Sequence, residues 1–460
     1  MDKISVVGLG KLGQCLAACF AARGFETIGV DVDKRVVDSI NRGVPSVIEP
    51  GLQELIATAG RRLRATQDYE EAISNTNVTV ILVPTPSDPD ANFSNRYVES
   101  ALKSLAESLR GSRKDYHVFV ASSTLMPGSI EGRLVPLVEE FSGRQLNVGF
   151  GVCYCPELVA LGSVVRGFLN PDLVMIGQSD DRAGGQVASI YRRLCENDPP
   201  IFQMSVIDAE IAKISLNCYI TLKMSFANSL ANICENVPDA NVDVITQALG
   251  ADRRIAPYYL QGGLGYGGPC FRRDTKAFIA FAKKFDNDAE LISVVEKVNE
   301  FQDRHLADVV LRHALSIGDG KISILGLAFK PGTPAILESP AIKLIEELLR
   351  RGMKVSVYDP LAMENTRTVL GNRLEYAPSL RECMSNSRLC VIATQAEEFK
   401  QIDASYIGND STTIIDCWRV LDPSKLGKRA KYIALGRFSA DIQERPRTDR
   451  SRSALFVVGS

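Results

Sequence analysis

The stretch from Lys3 to Asp31 restricts the architecture more than any other. Lys3-Ile4-Ser5-Val6-Val7 is a short apolar run, and Gly8-Leu9-Gly10-Lys11-Leu12-Gly13 follows it at once. An apolar helix is predicted from Gln14 to Arg23, ended by Gly24, and then a second strand, Thr27-Ile28-Gly29-Val30, finishing on Asp31. A strand buried on both faces reads as continuous apolar sequence and belongs in a parallel sheet. A glycine triplet alone says little, but strand, GxGxxG, helix, strand and acid within one unit is the signature of a dinucleotide-binding fold. Gly8 makes the tight turn, Gly10 admits a pyrophosphate, and Gly13 lets the helix pack on the strand. The phosphates then face a helix N-terminus. An aspartate at position 31 accepts from both ribose hydroxyls and repels a 2′-phosphate, which favours NAD over NADP.

The strand-helix alternation continues. Val78 to Val83 is a strand ending in Pro84-Thr85-Pro86, and His117 to Ala121 is another ending in Ser122-Ser123-Thr124. Ligands of open α/β sheets lie beyond the carboxyl ends of strands, where Thr85 and Thr124 fall; a hydroxyl there also serves as a helix cap. Val148 to Val152 is read as a further strand leading into Cys153-Tyr154-Cys155-Pro156-Glu157. Glu157 is a candidate site carboxylate or, equally, a first-turn helix charge. A third segment repeats the opening plan. Lys321 to Leu325 is a strand, Gly326-Leu327-Ala328-Phe329-Lys330 a turn, Ala341 to Arg351 an amphipathic helix and Lys354 to Asp359 the next strand, with later strands at Leu389 to Ala393 and Thr413 to Asp416. It lacks GxGxxG, so a second Rossmann-like domain with a ligand other than a dinucleotide is expected.

Between these halves the character changes. Ile211 to Cys234 is 24 residues with only two charges, Lys213 and Lys223, and no proline or glycine. That length spans a bilayer, but Asn217, Asn228, Asn232 and the two lysines spread through it predict a helix buried on most sides at a domain or subunit interface. Lys213 and Asn217, four apart, share one face. They suit a developing oxyanion, or else form a snorkelling lysine beside a satisfied asparagine. Helices are also predicted at Val242 to Leu249, after Asp274, and from Ala289 to Ser316, with a short linker at 318–320. The stretch from Gly262 to Gly268 holds five glycines in seven residues and is followed by Pro269, Cys270, Phe271, Arg272, Arg273 and Asp274. A thiol in cationic surroundings has a lowered pKa and becomes a nucleophile; the alternative is a buried structural cysteine.

Length and composition set outer limits. A chain of 460 residues exceeds one core and suggests about three domains. A formal net charge of −2 carries no basic excess that would point to nucleic acid or a membrane surface. The eleven cysteines are odd in number and scattered, a pattern of reduced thiols in a cytoplasm. Three histidines, with no zinc spacing, speak against a metal site. A strand starting within three residues of the N-terminus leaves no room for a signal peptide. The last ~15 residues, with Arg445, Arg447, Arg450 and Arg452, read as a solvated tail.

With these pieces placed, the chain resembles the UDP-glucose/GDP-mannose dehydrogenase family over residues 3 to 425. The likeness rests on GLGKLG with Asp31, Val83-Pro84-Thr85-Pro86, Ser123-Thr124, Pro156-Glu157, the Lys213/Asn217 helix, GYGGPCFRRDTK, and GLAFKPGT followed by Glu338-Ser339-Pro340. The resemblance implies an α/β protein of two Rossmann-like doubly wound domains joined by a long central helix and a helical dimerisation region. Its parts are an NAD-binding domain at 1–205, a central domain carrying the catalytic loop at 206–317, a UDP-sugar-binding domain at 318–440 and a tail at 441–460. It implies a cytoplasmic enzyme making a four-electron oxidation of a sugar C6 alcohol to a carboxylate with two NAD, through a thiohemiacetal and thioester on Cys270. Lys213 and Asn217 would stabilise the oxyanion, Asp274 with Thr124 and a water would move protons, and Glu157 would assist hydrolysis. NAD would meet Gly8, Gly10, Leu12, Gly13, Asp31, Lys34, Thr85 and Thr124. The sugar nucleotide would meet Glu157, Lys213, Asn217, Tyr258, Gly267, Phe329, Lys330 and Arg419, with Arg254 reaching the neighbouring subunit's substrate in a homodimer.

Some positions depart from the family pattern. Leu161 stands where a second glutamate is frequent, Pro334-Ala335 replaces paired aspartates, Leu337 replaces an arginine, and Asp416-Cys417-Trp418-Arg419 is one residue longer than Asp-Gly-Arg. UDP-glucose is the default substrate, since Gly-Gly-Pro-Cys-Phe and Phe168 to Asp172 resemble that branch. UDP-N-acetylhexosamine, whose branch Cys155-Pro156-Glu157 resembles, and GDP-mannose stay open. So do a two-electron dehydrogenase of β-hydroxyacid type, with Lys213 as acid/base, and a nucleotide-sugar binding protein without turnover.

Overall fold

The computed structural model describes residues 3–316, 321–385, 387–408, 412–428, 430–439 and 442. The linker expected at 318–320 and, apart from Ile442, the tail expected at 441–460 lie outside them. The chain forms two compact units, Met1–Asn217 with Arg273–Ala289, and Cys218–Arg272 with Glu290–Ser460.

The first unit is built on an eight-stranded sheet. Its strands are β1 Lys3–Val7, β2 Glu26–Val30, β3 Leu63–Thr66, β4 Val78–Ile81, β5 His117–Ala121, β6 Phe150–Tyr154, β7 Val174–Gln178 and β8 Ile201–Ser205, in the order β3-β2-β1-β4-β5-β6-β7-β8. All neighbours are parallel except β6 and β7. The central strands β4 and β5 are buried at every position, as covering on both faces demands. Helix Lys11–Ala22 starts three residues earlier than its apolar run, because Gly13 belongs inside its first turn. Its Cβ, were there one, would lie 1.8 Å from the Gly8 carbonyl oxygen. Strand β6 begins two residues later than its sequence suggests, since Asn147 takes a left-handed φ of 63° and the chain enters the sheet only at Phe150, beside His117.

The second unit holds a six-stranded, fully parallel sheet of β9 Ile322–Leu325, β10 Val355–Tyr358, β11 Glu375–Tyr376, β12 Leu389–Ile392, β13 Thr412–Asp416 and β14 Ala430–Ala434, in the order β11-β10-β9-β12-β13-β14. Both sheets thus reverse strand order beside their first strand, the arrangement that places ligands at strand carboxyl ends. The opening turns are also alike. Gly8 and Gly326 have φ of 91° and 90°, and Leu9 and Leu327 donate their N–H at 2.7 Å to Asp31 and Asp359, the aspartates after the second strand of each sheet.

The long helix Val206–Cys234 begins five residues before its apolar run, where Ser205 Oγ accepts from the Asp208 N–H at 3.2 Å and caps it. Residues Tyr219, Phe226 and Ile233, spaced by seven, leave an exposed apolar stripe along it. No helix among the described residues is long and apolar enough to cross a membrane. Gly13→Ala is expected to cost roughly 1–3 kcal/mol, because the new methyl meets backbone rather than a movable side chain. Urea unfolding of the variant measures this, and undiminished stability would mean that helix and turn separate freely.

Candidate functional site

The glycine turn of the first unit has the chemistry of a pyrophosphate cradle. A Cβ on Gly8 would strike the Leu82 carbonyl at 2.4 Å, whereas one on Gly10 would meet nothing within 4 Å. The first and third glycines are therefore needed for packing and the second leaves an open approach to the helix N-terminus, which has no side-chain cap. Asp31 Oδ2 accepts from Leu9 N and Oδ1 from Asp33 N at 2.8 Å, so the carboxylate braces the turn at the end of β2. These residues fit NAD. Thr85 is buried after β4, Thr124 is partly buried after β5, and Leu12 packs partly against the core. Between the two strand ends Ser123 Oγ donates to Val83 O at 2.7 Å and accepts from Val83 N at 2.9 Å. Lys34 lies on the surface in an i,i+4 pair with Asp38. Sequence reasoning missed Gln14, whose buried amide donates to Leu9 O at 2.6 Å and accepts from Ser46 N at 2.9 Å.

The helix face carrying Lys213 and Asn217 meets Glu157 and Asp274 of the same unit. Lys213 Nζ donates to the Glu157 backbone carbonyl at 2.7 Å. Asn217 Nδ2 donates at 2.6 Å to Oδ2 of the fully buried Asp274, whose Oδ1 takes the Arg273 guanidinium at 3.0 Å. Arg273 also lies over the Phe93 ring, so its charge is committed inside the unit rather than solvated. Glu157 keeps some surface, but its Oε1 is sealed from solvent with no hydrogen-bond partner. Burial pushes this carboxyl up to about 8, against the pull of the Lys213 ammonium. An acid with such a pKa exchanges protons near neutral pH.

In the second unit, buried carboxamides grip the glycine run. Asn228 accepts from Gly263 N at 2.8 Å and donates to Leu264 O at 3.1 Å, Gln302 donates to Gly263 O at 2.8 Å, and Asn299 accepts from Tyr266 N and donates to Tyr266 O. Protein fills the Cβ directions of these glycines. A Cβ on Gly263 would enter the Trp418 ring, one on Gly265 would meet Asn299 Oδ1, and one on Gly267 would meet Glu338 O at 2.3 Å. Another side of Gly265 and Gly267 lines a cavity of about 350 Å³, shared with Tyr259, Phe271, Phe329, Lys330, Gln395 and Trp418. Phe329 and Lys330, expected to meet the sugar nucleotide, both line this cavity.

Cys270 precedes helix Phe271–Lys283 and is exposed, while the other ten cysteines are buried. Burial pushes thiols such as Cys15 and Cys153 up to about 12, which disarms them as nucleophiles. Tyr258 is exposed, and Arg254 is held on the surface by Asp252 at 2.6 Å. The nearly buried guanidinium of Arg419 binds Asp243 and the carbonyls of Gly262, Cys417 and Leu435, so it clamps the start of the glycine run. No group of three or more metal-ligating side chains occurs among the described residues.

Residues 2–195 match the NAD-binding domain of the UDP-glucose/GDP-mannose dehydrogenase family, residues 207–301 its central domain and residues 323–423 its UDP-binding domain. The sequence is 36% identical over 422 residues to a UDP-glucose 6-dehydrogenase of Haloferax volcanii, covering 91% of this chain and 97% of that protein. It is 34% identical over 363 residues to a GDP-mannose 6-dehydrogenase of Azotobacter vinelandii, covering 78% and 81%. A solved UDP-glucose dehydrogenase from Pyrobaculum islandicum superposes with a TM-score of 0.86 at 32% identity, covering 95% of this chain and 98% of that one.

The Glu157 environment predicts a pH-dependent stability. Its native pKa of about 8 lies above the value near 4.3 of an unfolded glutamate, so folding favours the protonated form. That contribution is full below the unfolded pKa and is lost as pH rises through about 8. The melting temperature of Glu157→Gln, relative to the parent protein, is expected to climb between about pH 5 and pH 8. A difference that stays flat would place the carboxyl in ordinary solvent.

Proposed function

Because the chain belongs to the UDP-glucose/GDP-mannose dehydrogenase family and is an NAD-dependent nucleotide-sugar 6-dehydrogenase, we propose that it converts UDP-glucose to UDP-glucuronate through a thioester on Cys270. The observation that carries this reading is the state of the thiols. Cys270 alone is exposed, at the start of a helix whose first residue, Phe271, lines the aromatic cavity that also holds Phe329 and Lys330. A helix N-terminus favours the thiolate.

NAD, when bound, accepts a hydride at each of the two oxidations. The remaining steps belong to the protein. An aldehyde carbon has no easily released hydride, so the Cys270 sulfur adds to it and forms a tetrahedral thiohemiacetal. Loss of hydride leaves a thioester, and water cleaves the carbon–sulfur bond to give the carboxylate and return the thiol. Lys213 and Asn217 are assigned to the developing oxyanion. Asp274, with Thr124 and a water, is assigned to proton transfer from the C6 hydroxyl, and Glu157 to activation of the hydrolytic water. The raised Glu157 pKa supports that last role, because a base near neutrality is effective at physiological pH. Leu161, in place of a second glutamate, leaves Glu157 to act alone. The uridine nucleotide is favoured by the relatives with UDP-glucose activity and by the UDP-binding domain. GDP-mannose is the second reading, on the strength of the Azotobacter relative.

A homodimer built on Val206–Cys234 is part of the same reading. The stripe of Tyr219, Phe226 and Ile233, with exposed Ile255 and Tyr258, supports it as a face for a second copy, with Arg254 directed to the neighbouring substrate.

Two experiments test this function. Counting NADH per nucleotide sugar across UDP- and GDP-sugars should give two for UDP-glucose, and Cys270→Ala should form no acid. One NADH per sugar would favour the two-electron reaction, and binding without NADH a non-catalytic protein. Phe226→Glu is expected to yield monomers by light scattering; an intact dimer would place the interface elsewhere.

A further inference from the structure

The residues on either side of Cys270 converge on one carboxylate. Glu296, on helix Glu290–Ser316, is buried, and its two oxygens are divided between them. Oε1 accepts from the Tyr266 hydroxyl at 2.6 Å, and Oε2 accepts from Arg272 Nε at 3.2 Å. Tyr266 lies four residues before the thiol and Arg272 two after it. Asn299, a turn further along the helix, holds both the N–H and the carbonyl of Tyr266, at 2.7 and 3.1 Å. Burial, and then the Glu296 charge, push the Tyr266 hydroxyl above its ordinary pKa, so it stays a donor.

The arc between these anchors has little order of its own. Gly267 and Gly268 carry no side chain to pack, Gly268 has a φ of 87°, and the Gly268 N–H is held by Leu337 O at 2.9 Å. Glycine loses more backbone freedom on ordering than any other residue, so holding both ends of the arc helps to keep the thiol in one position. Arg272 is shared further with Glu338 at 3.0 Å and Glu300 at 3.4 Å, and Glu338 is met in turn by Lys343, which also reaches Asp303. The Arg272 guanidinium, two residues along the chain from the thiol, is thus balanced by three carboxylates, of which Glu296 is the one that also grips the other end of the arc.

Resting on the reading of Cys270 as nucleophile, we propose that Glu296 is a positioning residue for its thiol, tying Tyr266 and Arg272 to one point and moderating the charge of Arg272. A merely structural glutamate would affect stability and leave thiol chemistry alone. Glu296→Gln keeps the shape and an oxygen for Tyr266 but removes the charge that faces Arg272.

The test uses the full-length enzyme. Iodoacetamide labelling is followed at neutral pH by mass spectrometry on the Cys270 peptide, which stands out because the other ten cysteines are buried. In Glu296→Gln, alkylation should accelerate about threefold as the less balanced guanidinium favours thiolate. In the same variant kcat should fall about tenfold through misplacement of the sulfur, with the KM for NAD unchanged. Unchanged labelling, or a loss confined to KM, overturns the proposal. If Glu296→Gln does not fold, Arg272→Gln carries the test with the opposite sign: labelling slows, and an unchanged rate overturns the proposal. Labelling is read without turnover, so this result stands apart from the nucleophile reading, which acid formation by Cys270→Ala would end.

Discussion

Close approach of backbone to backbone is the constraint on which the rest of this structure depends. The first helix reaches its strand because Gly13 presents no methyl to the Gly8 carbonyl, and the turn before it closes because Gly8 presents none to Leu82. In the glycine run of the second unit Gly267 meets the Glu338 carbonyl in the same way, while Gly263 and Gly265 face the Trp418 ring and the Asn299 side chain. Such contacts bring amides and carbonyls where water cannot serve them, so each needs a partner. Asp31 and Asp359 supply one to the opening turns of the two sheets, and Asn228, Asn299 and Gln302 supply the others to the run before Cys270. A loop with almost no regular hydrogen bonding is held by side-chain amides that imitate peptide groups.

The charged residues follow from the same economy of buried polar groups. An isolated charge in the interior is costly, and the structure pairs most of them. Asp274 is met by Asn217 and Arg273, Arg272 by three carboxylates, and Arg419 by Asp243 and three carbonyls. Glu157 is met less completely, with one carboxylate oxygen sealed and no hydrogen bond to it. Burial raises its pKa.

Much of the fold was legible because period and punctuation agreed. Strands β1 and β5 run over the residues that their apolar runs predict, and the helices at Val242, Glu290 and Pro340 begin within a residue of expectation. Strands β3, β7, β8, β11 and β14 were not read. Strand β8 lies at a sheet edge with most of its residues partly or fully exposed, and β11 has only two residues, so neither makes a strong periodic signal. Strand β7 runs antiparallel to β6, a pairing between distant segments. Residue types and their spacing pointed to Cys270, Lys213, Asn217 and Glu157 as candidates, and the family resemblance added Asp274. The resemblance implied a substrate contact for Arg419, and Arg272 was read only as part of the cationic setting of the thiol. Nothing local indicates that Asp243 and Glu296, far away along the chain, take them up.

The sequence by itself determined the two strand–turn–helix units, the preference for NAD at Asp31 and the identity of the one suspect thiol. These are local matters of glycine spacing, apolar period and a strand-end acid, and they need no distant partner. The tertiary structure alone decided which cysteines are buried, which arginines are spent on internal carboxylates, that Glu157 is left with a raised pKa, and that the glycines face protein as well as a cavity. Each of those depends on direction and burial, and a side chain acquires both only when segments remote in sequence close around it.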